Sequence, residues 1–108
     1  MKVGESAKLF AANTAWRLGS RRAGKRLVDG LASSDENNRL IAGMLLVKAG
    51  KDAVPLLEEE LRHPRNLPLL LRIMGDVAPE EFRDVLERHV SHPDPMVARA
   101  AKDALRSR

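Results

Sequence analysis

Three groups of side chains in this sequence have types and spacings that chemistry could use. Arg17, Arg21, Arg22, Lys25 and Arg26 crowd together near the start, and such a cluster can neutralise the phosphates of a nucleic acid. His89 and His92 stand three apart, a spacing that lets two imidazoles on one helix share a metal ion. Glu80 with Asp84, and Glu58 with Arg62, stand at i and i+4, where helical neighbours meet.

Each group also has a plainer reading. The basic cluster has no interleaved aromatic for base stacking except Trp16, which falls on an apolar stripe, so a solvated face or a protein-docking patch is expected first and nucleic acid second. His92 directly precedes Pro93 and no third ligand accompanies the pair. His63 lies one repeat period before His92, so the histidines read as turn residues and no metal is expected. Glu58–Arg62 reads as a surface ion pair worth about 0.3–0.5 kcal/mol. Nothing supplies the burial a general acid needs, and there is no Gly-rich phosphate loop or serine elbow. With no cysteine in the chain, disulfides, thiolate metal sites and Cys nucleophiles are excluded. A protein that is not an enzyme and carries no cofactor is the expectation.

The elements that position these groups must come from 108 residues, enough for one modest core. Aromatics are scarce: Phe10, Trp16 and Phe82. Leu, Ala and Val therefore fill the interior, which suits close helix–helix packing. The net charge of +4 is unevenly spread: residues 1–26 carry +6, residues 27–60 carry −4 and residues 61–108 carry +2. The N-terminus shows no apolar signal-peptide core. The longest apolar run, Leu40 to Val47, is far shorter than the roughly 18–20 residues a membrane span needs. A cytoplasmic protein without a membrane segment is expected.

Breakers and caps divide the chain into seven short helical segments and no strand. The first runs from about Ser6 to Leu18, the second from Ser20 to about Ala32, with Leu27, Val28 and Leu31 on one face. Gly24 and Gly30 weaken the second by about 1 kcal/mol each relative to Ala. Asp35, or Ser33 with Glu36, caps a third that runs to Ala49. Its stretch Leu40 to Val47 is apolar nearly all round, which predicts a central helix covered on several sides, Met44 included. Asp52 is read as the cap of a fourth helix, with Pro55 in its first turn, and Asn66 as the cap of a fifth ended by Gly75. The sixth is expected to open at Pro79, and Asp94-Pro95 to start the last.

The pauses recur. Asp35, Pro64 and Pro93 are each 29 residues apart, and Leu57 and Leu61 return 29 residues later as Leu86 and Val90. Leu27 and Leu31 precede Leu57 and Leu61 by 30. A helix pair per period is the unit a solenoid needs, because one pair cannot bury its apolar face alone. Asp94-Pro95-Met96-Val97-Ala98-Arg99-Ala100-Ala101-Lys102-Asp103-Ala104-Leu105 resembles the first-helix pattern of short HEAT-like repeats, the class that includes phycobilin lyase subunits. Asp35 to Leu46 is a weaker copy, and Gly50 to Leu57 is similar to the usual junction into the second helix. Ala98 stands where that family usually has Arg, and Pro64 to Gly75 lacks the motif's Asp and Arg.

The resemblance implies an all-α, right-handed solenoid, armadillo-like in architecture, with repeats at about 5–33, 34–62 and 63–91 and a C-terminal helix over 94–107. It also implies a concave face lined by the second helix of each pair, carrying Arg22, Lys25, Arg26, Glu58, Glu59, Arg62, Arg83 and Glu87. The expected role is that of a scaffold whose partner is another protein. Backbone binding of nucleic acid through Arg17, Arg21, Arg22, Lys25 and Arg26 is one alternative, and an accessory subunit of a lyase-type enzyme is another. Phe10, beside the first stripe, makes self-association a further expectation.

Overall fold

The structure, a computed structural model, describes residues 3–106, the side chains of Val3, Glu5 and Ser6 apart. It is all-helical, with no strand among the described residues: α1 (Val3–Arg17), α2 (Arg21–Leu31), α3 (Glu36–Ala49), a 3-10 turn (Gly50–Ala53), α4 (Val54–Arg62), α5 (Leu67–Val77), α6 (Arg83–His89) and α7 (Pro95–Arg106). The expected end of the last helix at 107 lies outside the described residues.

Side-chain oxygens start most of these helices by accepting an otherwise orphaned backbone N–H. Ser20 Oγ accepts from Ala23 N at 3.2 Å, Asp35 Oδ1 from Asn37 N at 2.9 Å, Asn66 Oδ1 from Leu69 N at 3.3 Å and Asp94 Oδ1 from Met96 N at 2.9 Å. Asp35 therefore takes the cap, and Ser33 Oγ accepts instead from Asp35 N at 3.1 Å. Glycines with positive φ, Gly19 and Gly50, follow α1 and α3, where a left-handed residue ends a helix with little strain.

The helices α1, α3, α5 and α7 pack in chain order, each against the next. Between them lie α2, which touches α1, α3 and α4, then α4 against α5, and α6 against α5 and α7. The interior is aliphatic: Leu27, Ala42, Leu46, Leu57, Leu70, Leu71, Met74, Leu86, Ala100 and Ala101 are all fully or almost fully buried, with Phe82 the single buried aromatic among the described residues. Glycines give the closest approaches. A Cβ on Gly30 would stand 2.7 Å from Ala42 Cβ, and one on Gly75 would stand 2.7 Å from Ala104 Cβ.

Several local expectations fail for identifiable reasons. Gly75 does not end α5; it is buried inside the helix where α7 presses closest. Asp52 does not cap α4, which opens from the 3-10 turn without a side-chain cap. Pro79 does not open α6; residues 79–82 form a turn and the helix starts at Arg83. The covered α3 is also corrected. Leu57 and Leu86 are fully buried, but Met44 is 47 % exposed and Leu40 64 %. The helix has neighbours on α1, α2 and α5, and its fourth side faces solvent.

Candidate functional groove

Two adjoining concavities lie between α2 and α4, the two helices that carry most of the charges singled out in the sequence. One hollow, of about 670 Å³, is lined by Trp16, Arg21, Arg22, Lys25, Asp52, Pro55, Leu56 and Glu59. A second, of about 400 Å³, shares Lys25, Leu56 and Glu59 with it and continues past Val28 to Asp29, Glu60, Arg62, His63 and Arg65. The shared residues join the hollows into one groove. Trp16 and Leu56 are half-buried and Val28 is buried, so the floor is apolar, while Arg21, Arg22, Lys25, Asp52, Glu59 and Arg62 are exposed around it.

The rim is cross-linked by ion pairs that join residues far apart in the chain. Arg17 Nη1 meets Asp52 Oδ2 at 2.9 Å, with its guanidinium 5.6 Å from the centre of the Trp16 ring. Lys25 Nζ meets Glu59 Oε1 at 3.2 Å. At the far end Arg65 is gripped twice. Its Nε and Nη2 donate to the two carboxylate oxygens of Glu60 at 3.1 and 3.0 Å, and Nη2 also donates to Asp29 Oδ1 at 2.8 Å. Those hydrogen bonds, Glu60's first and Asp29's next, raise the Arg65 guanidinium above the ordinary arginine range. Asn66, next in the chain, donates from Nδ2 to the Leu31 carbonyl at 3.3 Å, tying the same corner to the end of α2.

The expected site residues are thus partly brought together. Arg22, Lys25, Glu59 and Arg62 line the groove. Glu58 stands at its outer edge beside Pro55, Glu59 and Arg62. Arg26 opens instead into a separate hollow with Lys8, Leu9, Asp29, Gly30, Ser33 and Asn38. Arg83 and Glu87 are exposed on α6, outside these hollows. The expected Glu58–Arg62 ion pair is absent among the described residues, where the neighbouring acids pair elsewhere: Glu59 with Lys25 on α2 and Glu60 with Arg65 in the loop that follows α4. Of the basic cluster, Arg17 and Lys25 are each paired with an acid, which interleaves negative charge with positive along this surface.

Sequence reasoning missed the apolar floor. Trp16 falls on an apolar stripe and reads as core, and Leu56 belongs to no apolar stripe singled out in the sequence. It also missed Arg65, which lies in a loop between two helices. His89 and His92 stack with ring centres 5.9 Å apart, but both face backbone: His89 Nδ1 donates to the Val85 carbonyl at 2.7 Å and His92 Nδ1 accepts from Asp94 N at 3.0 Å. Among the described residues no group of three His, Cys, Asp or Glu is placed to hold a metal ion, and no helix is long and apolar enough to cross a membrane.

Comparison with protein-family profiles, with curated proteins and with solved structures finds no match to this chain.

Proposed function

We propose that this chain is a non-catalytic protein-interaction module, a short right-handed α-solenoid of HEAT-like helix pairs that holds a protein partner along the α2–α4 groove. The solenoid reading is supported by the helix order: α1, α3, α5 and α7 touch in succession, and α2 lies against α4. It is supported again by the ion pairs Arg17–Asp52, Lys25–Glu59, Asp29–Arg65, Lys51–Glu81 and Arg72–Asp103, which join successive helix pairs across 30 to 36 positions of the chain.

The observation that carries the binding reading is the groove's make-up. An apolar floor of Trp16, Val28 and Leu56 runs beneath a rim on which Arg21, Arg22 and Lys25 face Asp52 and Glu59. A floor of this kind supplies affinity through desolvation, and a rim of both signs selects orientation and partner. A nucleic-acid backbone would want one sign throughout.

The test is a comparative pull-down from the source cell with the wild-type chain, Leu56→Lys in the groove floor and Arg106→Glu at the far end of α7, each first checked for helical content by circular dichroism. A protein retained by the wild type and by Arg106→Glu, and depleted at least about tenfold by Leu56→Lys, supports the reading. Equal recovery by all three, or retention of nucleic acid in place of protein at low salt, overturns it.

A further inference from the structure

The face of α3 turned to solvent carries an apolar strip that the groove does not use. Leu40, Met44 and Val47 follow one another at i, i+4 and i+7 and are 64, 47 and 36 % exposed. On α1, packed beside α3, Phe10 is half-exposed. The positions at the same distance from the N-cap on α7 are Arg99, Asp103 and Arg106, the charged set that an outward helix face ordinarily carries.

The charges around the strip say what covers it. Glu36 closes its N-terminal end and Lys48 its C-terminal end; both are exposed, and neither joins an ion pair among the described residues. The residues exposed on α3 are Glu36, Asn37, Leu40, Met44, Val47 and Lys48, and they form a palindrome about the level of Ala42. Glu36 mirrors Lys48, Asn37 mirrors Val47 and Leu40 mirrors Met44. A second α3 laid antiparallel across a two-fold axis at that level sets Leu40 against Met44 in the centre and Glu36 against Lys48 at both ends, the self-complementarity an isologous contact requires. Parallel pairing would instead oppose like charges at each end.

We infer that α3 is a self-association surface on which two copies of this chain pair antiparallel. The apolar strip is smaller than the roughly 800 Å² a side of a standard stable interface, so the dimer is weak and depends on concentration. The inference is independent of the α2–α4 groove, with which the strip shares no residue.

Sedimentation velocity over the micromolar to millimolar range, combined with zero-length carbodiimide cross-linking, tests it. Within one chain Glu36 and Lys48 are about 18 Å apart along the helix, beyond the reach of a direct amide link. A Glu36–Lys48 linked peptide, found in the covalent dimer, therefore reports the antiparallel pair. We expect a dimer that grows with concentration and contains this peptide. Met44→Lys should abolish both while leaving helical content and melting temperature unchanged. At low salt Glu36→Lys and Lys48→Glu should each weaken dimerisation about 3- to 10-fold, and their combination should restore it. A monomer at every concentration, a dimer indifferent to Met44→Lys, links confined to other residues, or a charge swap no better than its single variants would each overturn the inference.

Discussion

Gly75 lacks a side chain at the one place on α5 where α7 leaves no room for any. A Cβ there would lie 2.7 Å from Ala104 Cβ and 3.3 Å from its Cα, so the neighbour that must yield is backbone. Helix propensity alone predicts that Gly75→Ala stabilises the chain by about 1 kcal/mol. The packing predicts the opposite sign: a loss of about 1–3 kcal/mol, partly recovered when Ala104→Gly is added, as read by urea denaturation of the two variants. Residues of this kind were half legible. The sequence marked Gly75 as special, yet a glycine that breaks a helix and a glycine that admits a neighbour look alike until the neighbour is in place. Ser20, Asn66 and Asp94 were fully legible, because a cap is satisfied within three residues of itself. Asp52 was not, since its partner Arg17 lies 35 positions away.

At the level of elements, α3 and α4 show how far periodicity carries. The stripe through Leu57 was readable because α4 has one apolar side and buries it, and Leu86 repeats the arrangement on α6. The stretch Leu40 to Val47 was misread because an unbroken apolar run gives no phase. It cannot say which side a helix leaves bare. Stability measurements separate the two situations. Leu57→Ala or Leu86→Ala should cost about 2–5 kcal/mol, whereas Met44→Lys should stay within about 0.5 kcal/mol of the wild type. A large loss at Met44 would place that side chain in the core and take the exposed α3 face with it. The groove was legible in its rim and not in its floor: Arg22, Lys25, Glu59 and Arg62 declared themselves by charge, while Trp16 passed for an ordinary core residue and Leu56 lay on no stripe that marked it.

Across the whole molecule, the described helices occupy 38 × 27 × 24 Å, and contact between segments about thirty positions apart joins one helix pair to the next. Gly43 faces Ile73, Gly75 faces Ala104, and Arg72 Nη1 meets Asp103 Oδ2 at 3.2 Å. The proposed solenoid, and with it the α2–α4 groove, depends on α3 lying on α5 and α5 on α7 in this register. A nuclear Overhauser spectrum of the methyl-labelled chain tests that most directly. The account predicts cross-peaks from the Ile73 δ-methyl to the Gly43 α-protons and from the Ala104 methyl to those of Gly75. A well-dispersed spectrum in which both cross-peaks are missing, with Ile73 and Ala104 contacting other segments, would contradict it.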